Sequence, residues 1–453
     1  MMRKNWLTLR LLFVVVVPIL LLGTGSGRAD ERGEREKGEN RGAVRLLKTI
    51  PIHGTLANLT NGKLYSFDIG FVDQVTQTYY LADRSNAVVD VVDARTGTFV
   101  RQISGGFKGV AVVGGTVQNG QSGPNGVVAA FPWLFVTDAA SRVVTIDLRT
   151  DSVVSSASTG GADSFRADEL AYDPKDGLLL VINNADTPPF GTLISVNKAN
   201  GHLTVGTRIT FDAAHGVAAT DGAEQPVWHP DTGKFFLSIP QIAGVAKNGA
   251  VLRISTAGVV EHIYPIEHCS PAGLTVGPRS DLLVGCNAVF DTAGNVWSAT
   301  GTVTAAPKDV ILNVKTGNTT DVLGVGAGDE VWFNEGDGNY YATGSGSPFR
   351  PTSAAPLTAQ GSTPLGVINA EDRKLIQLVP TFNVPAVGTG NSSTEHPAGT
   401  AHSVAANAAN NLVFVPLAAN NAFSAFAVPG GGPVPDCETG CIAVFGHSSG
   451  DED

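Results

Sequence analysis

The 453-residue sequence predicts an all-β fold, a seven-bladed β-propeller, and three observations carry that expectation. Glycine supplies 54 residues while only 16% are charged, a composition suited to many short strands joined by tight turns. A unit of four β-rich runs recurs along the chain. One strand-like run, VRLLKTIPI at residues 44–52, stands ahead of the first unit with no repeat of its own.

The clearest unit is FDIGFVDQVTQTYYLADRSNAVVDVVDARTGTFVRQI, residues 67–103, where alternating apolar runs are separated by Asp, Asn, Gly and Thr turns. Its ending recurs as FVTDAASRVVTIDLRTD and more loosely as LISVNKANG. Its beginning recurs as GPNGVVAAFPWLFVTD, ADELAYDPKDGLLLVIN, AEQPVWHPDTGKFFLSI, SPAGLTVGPRSDLLVGC, GDEVWFNEGDGNYYATG and AHSVAANAANNLVFVPL. Aligned on the first strand, these place Asp68, Asn125, Asp168, Glu224, Ala272, Asp329 and His402 in one column. The spacing is roughly 56 residues, and four strands at that period indicate propeller blades rather than a helical solenoid. The last unit is short of a regular fourth strand, so pairing it with residues 44–52 would close the ring and cover an open edge. Six blades with one irregular insert is the alternative.

Residues 1–29 read as a cleaved secretory signal. Arg3, Lys4 and Arg10 precede an apolar run at 11–22, small residues follow, and Ala29 would be the last residue removed. The run is short for a membrane span, although an uncleaved anchor is the competing reading. Residues 30–43 are a charged, disordered tail, 44–446 a single propeller domain, and 447–453 an acidic tail. The expected location is therefore periplasmic or secreted. Four cysteines agree with export. Cys269 and Cys286 flank one strand–turn–strand unit, and Cys437 and Cys441 lie close enough for a local loop, which favours two disulfides over a zinc site.

The phrases YYLADRSNAVVDVVDARTG and FVTDAASRVVTIDLRTD resemble repeats of the YVTN/YncE-type bacterial propellers. DELAYDPKDGLLLVIN and SPAGLTVGPRSDLLVGC are similar to the SMP-30/gluconolactonase/strictosidine-synthase-like superfamily. The resemblance covers roughly residues 60–445 and implies the blade rather than a reaction, because these groups include lactonases, esterases, lyases and proteins without known activity.

Chemistry is expected where the aligned column would ring one mouth of the channel. Asp68, Asn125, Asp168, Glu224 and Asp329 are candidate metal ligands, since converging carboxylates need either a cation or protons. Calcium or magnesium would suit such oxygens, and a nearby histidine would admit zinc. The gluconolactonase-type resemblance likewise implies a carboxylate–amide metal cluster, although Ala272 stands where those enzymes often carry Asn. His402 and Glu330 are the candidate proton-transfer residues, and Glu169 the candidate substrate-binding one. His229, in WHPDTG, reads as a turn histidine, and EHIYPIEHC lacks the HExxH spacing and reads as a strand edge. Two inserts, 344–363 and 384–399, could form a lid.

Two functional classes follow. One is an exported hydrolase or lyase, dependent on a divalent cation, acting on a small organic substrate. The other is a non-catalytic propeller binding a small-molecule ligand or a cell-envelope component. A quinoprotein ranks behind both, since no CxxCH haem motif is present. With 30 basic against 41 acidic residues, a nucleic-acid partner is excluded on bulk charge. A closed ring without free sheet edges is expected to be monomeric.

Overall fold

A computed structural model describes residues 42–162, 165–297, 305, 307–325, 330–343, 365–379, 401, 403–419, 437 and 439–448. They form seven four-stranded antiparallel sheets, so seven blades replace the six-blade alternative. Blade 1 runs from Gly70–Asp73 to Thr98–Ile103, blade 2 from Val127–Ala130 to Ser152–Ser158, and blade 3 from Leu170–Asp173 to Leu203–Thr210. Blade 4 runs from Pro226–His229 to Val260–Glu267, blade 5 from Cys269–Val276 to Thr319–Leu323, and blade 6 from Val331–Asn334 to Lys374–Val379. Blade 7 takes Ala405–Asn407, Leu412–Leu417 and Cys441–His447, and its outermost strand is Val44–Pro51. First strands of successive blades adjoin around the ring, including those of blades 7 and 1.

The core is divided into seven apolar wedges, one between each pair of neighbouring blades. Strand alternation explains this. In TYYLAD, Tyr79 and Leu81 enter the wedge shared with blade 7, while Tyr80 and Ala82 enter the wedge shared with blade 2. In LLLVIN, Leu179 and Val181 face blade 2, and Leu180 and Ile182 face blade 4. Strands buried on both faces therefore read as near-continuous apolar runs.

The two ends of the barrel-like ring differ. On one, the turn face, the strand bounds leave only two to six residues per connection. These turns are built by side chains that accept their own backbone amides. Asp73 Oδ1 accepts from Val75 N at 2.9 Å, Asp173 Oδ1 from Lys175 N at 2.8 Å, and Asn407 Oδ1 from Ala409 N at 3.1 Å. Gly177 closes the Asp173 turn at φ 66°, a conformation that favours glycine. The opposite, loop face carries the longer connections, among them 104–126, 211–225 and 290–307. The inserts expected at 344–363 and 384–399 lie outside the described residues, and the strand ends flanking them, Thr343, Leu365 and Val379, sit on this face.

Ring closure follows the sequence expectation. Val44 pairs with His447 and Pro51 with Cys441. The side-chain amide of Gln377 in blade 6 clamps the strand's first residue, accepting from Val44 N at 2.9 Å and donating to Val44 O at 2.8 Å. Ser448 N donates to Ala43 O at 3.0 Å, and a His447 ring nitrogen lies 2.9 Å from Gly42 O. Both expected disulfides are present, Cys269–Cys286 and Cys437–Cys441. The first joins residues 17 apart across the first hairpin of blade 5, beside a bulge at Pro271. Closing a loop of that length stabilises by about 3 kcal/mol, so a Cys269→Ser/Cys286→Ser chain is expected to lose about that much in a urea titration. An unchanged midpoint would count against it.

Candidate functional site

Backbone bonds place four column residues in one structural row. The amides of Asp68, Asn125, Asp168 and Glu224 donate to Ala82, Thr137, Ile182 and Ser238 carbonyls at 2.9, 2.9, 2.7 and 3.0 Å, each on the second strand of its own blade. Neighbouring blades are linked through the same row: Ile69 N donates to Asn125 O (3.3 Å), Gly126 N to Asp168 O (3.1 Å) and Gln225 N to Ala272 O (3.4 Å). On the loop face these bonds form a partial collar, tying blade 1 to 2, 2 to 3 and 4 to 5.

A second row, one residue further on, uses side chains. Gln225 Oε1 accepts from Leu274 N of the next blade at 2.5 Å. Glu330 Oε2 accepts from Val404 N at 3.2 Å, and Ser403 Oγ accepts from Gly70 N at 2.8 Å. In each case the donor belongs to the same position of the following blade. The position facing Glu169 by this rule is Pro226, which has no N–H to give. Glu169 itself is buried.

Asp68, Asn125 and Asp168 are buried, and their oxygens face arginine nitrogens. Arg84, just beyond the second strand of blade 1, pairs through Nη2 with Asp68 Oδ2 and donates from Nε to Asn125 Oδ1 at 2.9 Å. Arg166, two residues before Asp168, donates from Nη2 to Asp168 Oδ2 at 2.6 Å and reaches Asp68 Oδ2 from Nη1 at 3.5 Å. The two guanidinium groups therefore link blades 1, 2 and 3. Both Arg84 and Asp68 are almost wholly shielded from solvent, with side-chain exposures of 4% and 9%. The sequence reading missed both arginines, because neither falls in the aligned column. The available signal was the placement of Arg166 beside Asp168 and of Arg84 at a strand end in a chain with few charges.

Glu330 lies between three blades. Its Oε2 accepts from the Ser403 hydroxyl of blade 7 and from the amides of Val404 and Gly70, the last at 3.3 Å in blade 1. Burial pushes its carboxyl up to about 8, against the pull of these donors and with a further push from Asp68. Glu224 is half-buried on the same rim. Asp329 and His402 lie outside the described residues, as do Glu395 and His396.

His229 and the histidines of EHIYPIEHC belong to blade 4 or follow directly on it. His229 ends the first strand of blade 4, with its carbonyl accepting from Gly233 N at 3.0 Å, as a turn histidine would. Its ring is buried and lies 5.7 Å from Phe236. Glu261, His262 and Glu267 belong to the outermost strand of blade 4, and His268 follows it.

For a divalent cation, the collar would have to turn the oxygens of Asp68, Asn125 and Asp168 toward a common point. Asp68 Oδ2, Asn125 Oδ1 and Asp168 Oδ2 instead meet guanidinium nitrogens, so these three do not present a metal cradle. Among the described residues, no three His, Cys, Asp or Glu side chains come together in a metal-holding group.

No family model matches the chain, and no curated protein matches its sequence. The resemblance to the YVTN/YncE and gluconolactonase groups thus stands on the repeat phrases alone. Solved structures do match. A chain of "Kuenenia stuttgartiensis Hydrazine Synthase" aligns at 13% identity with a TM-score of 0.55, covering 80% of this chain and 95% of that one. A chain of "Crystal Structure of Mitotic Checkpoint Complex" aligns at 11% identity with a TM-score of 0.50, covering 89% and 96%. At such identities the likeness is one of fold, and the fold is a β-propeller.

Proposed function

We propose that this chain is an exported binding propeller that holds a small organic ligand or cell-envelope component on its loop face, at the collared mouth. The observation that carries the reading is the asymmetry of the ring. Every connection on the turn face has six residues or fewer, whereas the longer connections gather around the row of Asp68, Asn125, Asp168 and Glu224. Rigid scaffolds place recognition on such loops. Two disulfides support an oxidising compartment, as does the signal-like start of the sequence. No helix among the described residues is long and apolar enough to cross a membrane.

The hydrolase reading has one observation in its favour, a Glu330 carboxyl that keeps its proton near neutrality. Its protein donors from two other blades favour a joining role instead. The test is isothermal titration of the full chain with a panel of small lactones, esters, hydroxy acids and envelope glycans. Saturable binding is expected, lost when residues 104–124 are replaced by a short Gly-Ser turn and retained in Arg95→Ala/Lys175→Ala on the turn face. Binding that maps to the turn face would overturn the proposal, and turnover of a lactone or ester would replace it with the enzymatic reading.

A further inference from the structure

We infer that Arg84 and Arg166 are the resident counter-cations of the mouth, filling the electrostatic role that the residue types of the ring suggest for a divalent ion. Buried carboxylates are costly unless paired and hydrogen-bonded. A multidentate metal would answer that cost by drawing oxygens from several blades to one centre. Here the oxygens are drawn instead to two planar forks. Arg84 takes Asp68 of blade 1 and Asn125 of blade 2, while Arg166 takes Asp168 of blade 3 and reaches back to Asp68. Asp68 Oδ2 is the shared point, as a bridging ligand between two metals would be.

The substitution changes what the mouth can do. A guanidinium remains charged at any physiological pH and offers fixed donors in one plane. It cannot be stripped by a chelator and does not exchange with the medium. The tie between blades 1, 2 and 3 therefore does not depend on metal supply. Lysine would not replace Arg84, because one ammonium on a flexible stem lacks the fork that reaches a carboxylate and an amide in two blades.

Melting of the full chain, with and without chelator and millimolar calcium, tests this. The natural sequence is expected to melt within about 1 °C of the same temperature in all three conditions, since no linked ion is lost or gained. Arg84→Gln leaves Asp68 short of its main partner and is expected to lower the melting temperature by roughly 3–6 °C. Millimolar calcium should recover part of that loss, because the exposed oxygens then resemble a metal cradle. Asp68→Asn/Arg84→Gln removes both charges and should recover most of the loss without calcium, and should ignore calcium. If the single variant fails to fold, the double variant still reads the same pairing.

A stoichiometric divalent ion that copurifies with the natural chain and disappears in Asp68→Asn would overturn the inference. So would an Arg84→Gln chain that melts like the natural one or is indifferent to calcium, or a double variant no more stable than an unfolded single. The inference does not rest on the mouth binding an organic ligand. An empty ligand screen would leave these melting shifts unchanged.

Discussion

Deleting residues 44–52 is expected to abolish cooperative unfolding of the ring and to drive the chain to associate. The segment makes the whole outer edge of blade 7, paired from Val44 against His447 to Pro51 against Cys441 with one bulge at Leu47. It buries Val44, Ile50 and Ile52, which are 3%, 4% and 3% exposed. At about 1.5–3 kcal/mol for each fully buried aliphatic side chain, that loss approaches the whole stability of an ordinary domain. The strand Cys441–His447 would then present unpaired backbone groups, the edge that recruits another chain. Light scattering and circular dichroism during heating would read both effects. A synthetic peptide of residues 43–52 should reverse the association by adding the missing strand. A deletion chain that does not associate and melts like the full one would show that blade 7 is stable with three strands.

The second large effect concerns pH. The Glu330 carboxyl has an ordinary value of 4.5 and is pushed up to about 8 by burial. Below pH 4.5 both folded and unfolded chains hold the proton, so the contribution to stability is complete. As pH rises toward 8 the unfolded chain ionises while the folded one resists, and stability falls across that window and levels off above it. The expected loss from this group is on the order of 3–5 kcal/mol. Two other buried groups act in windows that overlap this one. Asp83, pushed up to about 6 by burial, removes stability mainly between about pH 4 and 6. His229 is pushed below 6.5 by burial, so it removes stability as pH falls below that point. Glu330→Gln retains an acceptor for Ser403, Val404 and Gly70 but cannot ionise. Its melting temperature should therefore fall less from pH 6 to 8 than that of the natural chain, while Asp90, also raised well above its ordinary value by burial, acts alike in both. Parallel declines in the two chains would exclude Glu330 as the cause.

Much of this architecture was legible because the propeller repeats one local pattern. The apolar runs TYYLAD and LLLVIN mark second strands buried on both faces, and the aligned starts found a true row, as the matching backbone bonds of Asp68, Asn125, Asp168 and Glu224 demonstrate. The orphan run and the two cysteine pairs were legible for the same reason, since each is unfinished locally and completed by a neighbour. The charge balance of the mouth was not. An alignment reads positions within a repeat, whereas Arg84 reaches from blade 1 to blade 2 and Arg166 from blade 3 to blade 1. Nor could a row of carboxylates announce that Glu330 would be enclosed by Ser403, Val404 and Gly70, because enclosure depends on residues 70 or more positions away. The recurrent bulge between third and fourth strands, present in blades 1, 2, 3, 4 and 6, likewise has no constant residue to mark it.

The closing strand also separates the order of the polypeptide from the order of the ring. Gly42 and Ala43 lie within hydrogen-bond reach of His447 and Ser448, so where the chain enters and leaves the ring are neighbours. A short linker from 448 to 42 would make blade 7 continuous, and a cut at a turn such as 230–233 would open the chain elsewhere without disturbing any wedge. Which blade is first is then an accident of covalent connectivity. The circle itself has no origin, and a permuted gene could present either end of the polypeptide from the turn face, leaving the loop face unencumbered.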